Sequence, residues 1–264
     1  LPLAAASQPS IIPLPVSVEE TSPSPSGQNT FRFTPETVVS ASGEARTEAT
    51  ALIEALAPAM GFRLNLATDG TADAGVVALA LAPGLREKLG PEGYTLEVTP
   101  KRIDVRAADP VGLFYGGQTL RQLLPPAVFS GEEVARTDWS VPCVRITDSP
   151  RFGWRGLLVD PARHFIPKAD LFRFIDAMAA LKFNRLQIHL TDNCGWRIEI
   201  KKFPDLTRIG SKMDYSGGSG GFYTQDDIRE IVRYAKDRHI TIVPEIEMPA
   251  HTGAAIVACP QIGL

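Results

Sequence analysis

Cysteine is scarce in this chain, with only Cys143, Cys194 and Cys259, odd in number and widely spaced. That pattern gives neither a zinc knuckle nor a disulfide framework and leaves buried free thiols as the plain reading. No run of about 18 apolar residues occurs, which argues against a membrane-spanning helix. No charge of one sign dominates either: 27 Lys and Arg stand against 30 Asp and Glu, a formal net charge of −3. Without a broad basic field, nucleic acid and anionic membrane are poor partners, and a small or neutral ligand fits better. His-Glu-x-x-His, Cys-x-x-Cys and a Walker loop are missing, so metalloproteases and P-loop enzymes lose support. There is no initiator Met. The opening Leu1-Pro2-Leu3-Ala4-Ala5-Ala6-Ser7 reads like the tail of an export signal or the residues beside its cleavage site, from which a periplasmic or secreted location is expected.

What is present is a globular composition, 44% hydrophobic and 22% charged, with enough apolar mass for one large or two smaller cores. Two stretches follow different rules. Over residues 11–149 strands and helices mix without regular alternation. Glu44 to Met60 repeats apolar residues at helical spacing and stops at Gly61, suited to the left-handed position after a helix. Val76 to Leu81 has strand character, and Tyr94 to Val98 with Arg102 to Ala107 reads as a hairpin. Asp109 is expected to cap a helix that begins at Pro110 and ends at Pro125-Pro126. The sum predicts an α+β domain, a small sheet covered by about two helices.

Over residues 150–264 the order becomes strand, helix, strand, helix, strand. Strands are expected at Gly156 to Val159, Arg185 to Leu190 and Ile240 to Pro244. Helices are expected at Lys168 to Lys182 and after Thr224, a natural N-cap. This alternation is the mark of a parallel α/β layer or barrel. It holds only about three units, too few for the roughly 250 residues of a complete (β/α)8 barrel.

Parallel strands collect polar side chains at one mouth. Asp192 lies just past the second strand, and Glu245, Glu247 and His251 lie just past the third; alternation sends Glu245 and Glu247 to the same side. A mouth lined by Asp192, Glu247 and His251 can polarise an amide, orient a general acid or bind a metal. Its bland reading is helix caps and ion pairs. Arg155 begins the first strand, and Asp160 and Arg163 flank its end. A guanidinium fork suits vicinal hydroxyls, whereas an Arg163–Asp160 pair can simply support the fold. Trp196 is either an aromatic wall or packing, and His189, inside a strand, reads as a core hydrogen-bonding group.

Four ordered segments, Arg155 to Phe165, Lys182 to Arg197, Gly221 to Thr224 and Pro244 to His251, resemble glycoside hydrolase family 20, the β-N-acetylhexosaminidases. The resemblance spans Ile11 to Leu264. It implies an α+β N-terminal domain, residues 11–149, followed by an α/β (β/α)8 TIM-barrel domain, residues 150–264, of which only about three βα units are present. It also implies retaining hydrolysis of terminal N-acetylhexosamine in which the substrate's own 2-acetamido oxygen attacks the anomeric carbon, an exception to the two-carboxylate scheme. An Asp orients that group, a neighbouring Glu is general acid and then base, and neither a metal nor an organic cofactor is required. In the resemblance Arg155 matches the arginine that binds ring hydroxyls. Asp192 and His251 match a supporting carboxylate and imidazole. Glu247 stands where Asp is usual, Asn193 replaces the second Asp of a pair, Gln187 replaces a frequent His and Ala250 a Gly.

The catalytic Asp-Glu pair implied by the family belongs after a fourth strand, so it is not expected within these 264 residues, and hydrolysis by this chain alone is not expected. The implied partner is a small carbohydrate, an N-acetylhexosaminide. An incomplete barrel is expected to expose the edge of its third strand and the apolar faces of two helices, to be covered by the remainder of the barrel as a separate chain or by self-association. Two other readings stand beside this one: a non-catalytic carbohydrate-binding module, and a metal-dependent barrel hydrolase using His189, Asp192 and His251.

Overall fold

The computed structural model describes residues 10–21, 27, 29–68 and 74–263. The opening segment on which the expectation of export rests lies outside the described residues. The chain divides into two units between Arg151 and Phe152.

In chain order the first unit contains β1 (Ser17–Glu20), β2 (Thr30–Arg32), β3 (Val38–Ala41), α1 (Ala45–Met60), β4 (Asn65–Ala67), β5 (Val76–Leu81), α2 (Arg86–Leu89), β6 (Tyr94–Val98), β7 (Arg102–Ala107), α3 (Pro110–Leu123), β8 (Ser140–Pro142) and β9 (Val144–Asp148). Seven strands form one sheet in the order β1-β9-β6-β7-β5-β3-β4. It is mixed: β3, β4, β5 and β7 pair in parallel, and β6 turns back on β7 as the expected antiparallel hairpin. Period-two alternation puts Tyr94, Leu96 and Val98 with Ile103, Val105 and Ala107 in the core.

Helix α3 lies close on that face. A Cβ on Gly112 would meet the Gly93 carbonyl oxygen at 2.5 Å and the Ala107 Cβ at 2.7 Å, so glycine sets the approach. α1 packs beside α3 and ends at Gly61 with φ 72°, its N–H on the Ala57 carbonyl, as the helical spacing anticipates. Asp109 differs from expectation. Its backbone is extended as a cap requires, but its side chain makes no capping bond, because the carboxylate is taken by Arg86.

The second unit contains β10 (Gly156–Val159), α4 (Lys168–Ala180), β11 (Arg185–His189), α5 (Asp205–Arg208), α6 (Gln225–Lys236), β12 (Thr241–Glu245) and α7 (Gly253–Ala258). The three strands are parallel in the order β10-β11-β12, with Val159 beside Ile188 and His189 beside Glu245. Alternation divides the sheet into a face with Val159, Leu186 and Ile188, all buried, and a face with Leu158, Gln187 and Glu245, more open to solvent. Helix α4 stops at Ala180, short of the expected end, and the chain reverses through Lys182 at φ 61°.

The expectation that two helices expose apolar faces is not met. α4 and α6 pack together and bury Leu171, Ile175 and Met178 with Ile231 and Ala235. Exposed apolar groups include Leu157 and Leu158 on β10, Ile246 and Met248 in the loop beyond β12, Ile256 and Val257 on α7 and, alone of this kind among the described residues of α6, Val232. Among the described residues β10 and β12 each have a strand neighbour on one side only, and no helix is long and apolar enough to cross a membrane.

α6 starts with a reciprocal capping box. The Thr224 hydroxyl accepts the Asp227 N–H at 3.0 Å, and the Asp227 carboxylate accepts the Thr224 N–H at 3.0 Å. The Lys168 ammonium at the start of α4 bonds both Asp227 and Glu230, tying the two helix N-termini together. The Lys168 hydrogen bond, then those from the Thr224 hydroxyl and N–H, hold the Asp227 carboxyl down at about 2. A carboxyl depressed on folding adds stability that is present above its unfolded value near about 3.9 and is lost as pH falls toward 2. Urea unfolding of Thr224→Ala at neutral pH is therefore expected to show a loss of about 1 kcal/mol, and Asp227→Asn is expected to flatten the acid limb of the stability curve between these two values.

Candidate functional site

Because the strands are parallel, the loops after β10, β11 and β12 emerge on one edge of the sheet, and three of them meet at one carboxylate. After β11 the chain makes a tight turn, with the Asp192 N–H on the Gly195 carbonyl at 2.8 Å and a bridge between Thr191 and Trp196. The turn drives the Asp192 side chain inward until it is 1% exposed. One carboxylate oxygen, Oδ1, accepts the neighbouring Asn193 N–H. The other, Oδ2, faces Arg163 Nη2 at 2.9 Å, His251 Nδ1 at 3.3 Å and His189 Nε2 at 3.4 Å. These are contacts of charge and proximity: Oδ2 and His189 Nε2 are buried without an aligned hydrogen bond.

A second carboxylate stands beside the first. His189 Nδ1 lies 3.2 Å from Glu245 Oε1, and Gln187 donates to Glu245 Oε2 at 2.6 Å. Burial pushes the Glu245 carboxyl up, but hydrogen bonds from Gln187 and Glu247, with the His189 charge, outweigh it and hold the group below its ordinary value. Glu247 is fixed through its backbone, its N–H on the Thr191 hydroxyl at 2.9 Å. His251 takes a left-handed backbone, φ 52°, and its ring stands edge-on to His189 with centroids 5.7 Å apart.

The structure thus brings Asp192, His251 and Glu247 to one mouth, and adds Arg163, His189 and Glu245. Arg163 makes the expected internal pair with Asp160 and reaches one carboxylate more. Its N–H and guanidinium engage Asp160, and its second terminal nitrogen reaches Asp192. Asp160, through its hydrogen bond first and its charge second, raises the Arg163 pKa, and the side chain stays 40% exposed, available to a ligand.

Arg155, which the resemblance matches to the arginine that binds ring hydroxyls, is not among the groups that meet at Asp192. It precedes β10, so it sits at the other end of a strand some 13 Å long at about 3.3 Å per residue. Its N–H is on Asn184 Oδ1 at 2.9 Å, and its guanidinium donates to the Lys182 and Phe152 carbonyls, each at 2.8 Å. Alternation also places it on the side of Leu157 and Val159, opposite the Gln187–Glu245 face. Trp196 proves to be packing: it is 5% exposed in a cluster with Leu206, Ala254, Ala255 and Ala258, its indole N–H on the Ile198 carbonyl at 2.7 Å.

Two carboxylate-imidazole groupings bear on the metal reading. His189, Asp192 and His251 converge on Oδ2, but the Arg163 guanidinium already supplies positive charge there. His189, Glu245 and Glu247 bring one ligand atom each within 4.8 Å of one another. Gln187 and His189 occupy both Glu245 oxygens in that grouping, so a cation would have to displace existing partners.

Comparison with known proteins gives the arrangement a family. The model of the family 20 glycosyl hydrolase catalytic domain matches residues 152–264, and that of the family's domain 2 matches residues 8–149. A β-hexosaminidase of Porphyromonas gingivalis is 39% identical over 257 residues, which is 96% of this chain and 32% of that protein. The solved N-acetyl-β-hexosaminidase of Streptomyces plicatus, in complex with Thio-NAglucal, superposes with a TM-score of 0.85 at 39% identity, covering 97% of this chain and 49% of that one. The exo-β-N-acetylglucosaminidase of Vibrio harveyi, in complex with N-acetylglucosamine, gives 0.83 at 31% identity, with 99% and 40% covered. The chain therefore spans about a third of the curated relative and half or less of the solved ones. With both family models matched in order along nearly all of its residues, this chain belongs to glycosyl hydrolase family 20.

Proposed function

We propose that this chain is the sugar-recognising and charge-setting part of a retaining β-N-acetylhexosaminidase that removes terminal N-acetylhexosamine with help from the substrate's own acetamido group. The observation that carries the reading is the convergence of Arg163, His189 and His251 on the buried Asp192 at the C-terminal edge of three parallel strands, where barrel enzymes keep their chemistry. The Streptomyces plicatus and Vibrio harveyi relatives, described in complex with Thio-NAglucal and with N-acetylglucosamine, support an N-acetylhexosaminide as the ligand. The three βα units belong to a (β/α)8 barrel in this reading, and the small apolar residues from Leu1 to Ala6 support export to the periplasm or beyond.

Each group has a role set by its surroundings. Arg163 is anchored by Asp160 and Asp192 and still partly exposed, so its remaining N–H groups can donate to vicinal ring hydroxyls while it keeps its orientation. Asp192 supplies the negative charge that holds Arg163, His189 and His251 in place, and it supports the acid that protonates the leaving oxygen. Glu247, with its backbone on Thr191 and its carboxyl on Glu245, steadies the wall between the two imidazoles and the sugar. The Asp that orients the acetamido group and the Glu that acts as acid and base lie outside these 264 residues in this reading. The reaction needs no redox step, since the acetamido oxygen forms the bond to the anomeric carbon as the glycosidic oxygen leaves with a proton.

In a titration with N-acetylglucosamine followed by NMR, Arg163→Ala is expected to weaken binding by about tenfold or more, as the loss of a charged hydrogen bond implies. Arg155→Ala is expected to lower the unfolding midpoint and leave the affinity of the folded protein intact. The reverse pattern would return the sugar to Arg155. Incubated with an aryl N-acetyl-β-glucosaminide, the 264-residue chain is expected to show no turnover; steady hydrolysis lost on Asp192→Asn would place the acid within these residues instead.

A further inference from the structure

The largest fully buried side chain of the second unit is a cation, Arg197, at 0% exposure. Among the described residues no carboxylate stands within ion-pair distance of it. Burial lowers its pKa, and Asp214 and Asp160 act on it only through space. A desolvated guanidinium is costly unless its donors are satisfied, and here all five N–H groups are used on backbone carbonyls. Nε donates to Pro161 at 2.9 Å. Nη1 donates to Ser211 at 2.8 Å and Gly221 at 3.1 Å, and Nη2 to Ala162 at 2.9 Å and Met213 at 2.7 Å.

Those oxygens belong to two loops, and one of them carries Arg163. Pro161 and Ala162 are the residues directly before it, while Ser211, Met213 and Gly221 lie in the long excursion between β11 and α6. The loops are further laced together: the Tyr215 N–H is on the Arg163 carbonyl at 2.9 Å, and the Tyr223 hydroxyl donates to the Ile166 carbonyl. Space around the guanidinium is reserved. A Cβ on Gly195 would run into it, and one on Gly220 would meet Nη1 at 2.7 Å. A flat fork with five donors meets this geometry, whereas a lysine ammonium has three donors and no plane.

We infer that Arg197 is the positioning residue of the sugar-binding mouth: it clamps the loop before Arg163 to the long excursion loop so that the Arg163 guanidinium is aimed at Asp192 and at the ligand. The inference rests on the proposed role of Arg163 as a sugar ligand, but the orientation itself is a property of the unliganded protein and can be read without sugar.

The test is Arg197→Lys in this chain, followed by the ¹H–¹⁵N signal of the Arg163 Nε–H, with N-acetylglucosamine titrated afterwards. The signal is expected to move toward that of a free arginine and to exchange with solvent about tenfold faster. Sugar affinity is expected to fall by about tenfold, with Arg163→Lys in the same background adding less than about twofold, because contacts acting in one chain of support are not additive. A folded Arg197→Lys protein whose Arg163 signal and exchange match the parent overturns the inference. Should that variant fail to fold, Gly195→Ala displaces the guanidinium while keeping its charge. A shifted Arg163 signal then supports the inference; an unshifted one, or failure of this variant to fold as well, overturns it and leaves Arg197 a residue of stability alone. If the unaltered chain binds no sugar, the functional reading fails, while the Arg163 signal still decides the role of Arg197.

Discussion

A carboxylate withdrawn from water must be compensated by groups brought to it, and Asp192, 1% exposed at the end of β11, sets that demand for the second unit. Its Oδ2 is met by a guanidinium from the loop after β10, an imidazole from β11 itself and an imidazole from the loop after β12. No single strand can supply all three. Three parallel strands in register can, because their C-terminal ends open onto the same edge. The need to satisfy one buried anion thus explains why the mouth is ordered, and why removing a partner from such a cluster costs more than an exposed pair is worth.

The same unit buries a positive charge as well, and it does not use one to neutralise the other. Arg197 is held by five carbonyl oxygens, Asp192 by nitrogen groups of other residues. Keeping them apart has a structural result. Asp192 collects the side chains that can face a ligand, while Arg197 collects the backbone of the loops that carry and surround them. The helices behind the sheet are joined separately, through Lys168 between the starts of α4 and α6. The first unit solves its burial problem by apolar packing, with α3 brought close to the sheet at Gly112 and Gly116.

Much of this was legible because it depends on local chemistry. The helix ending at Gly61, the hairpin of Tyr94–Val98 and Arg102–Ala107, the Thr224 cap and the three strands of the second unit follow from spacing, capping groups and alternation, which act within a few residues. The remaining strands of the first unit, several of them three or four residues long, carry too short a pattern to be read. Asp109 looked like a cap and was claimed by Arg86, twenty-three residues away. Trp196 read as packing rather more than as a wall, and the packing of α7 against it bears that out.

Arg155 and Arg163 show where the boundary lies. The sequence by itself determined the family, the order of elements and the set of polar residues gathered at the strand ends, since motif order and hydrophobic period are properties of the chain. Which arginine faces the mouth was decided by tertiary structure alone. The two flank the same four-residue strand, but a parallel sheet gives its two ends different neighbours: backbone carbonyls of Phe152 and Lys182 at one, the Asp192 carboxylate at the other. The role of Arg197 was hidden for a related reason. Its partners are carbonyl oxygens, which every residue has, so no pattern of side chains announces them until the fold brings five to one place.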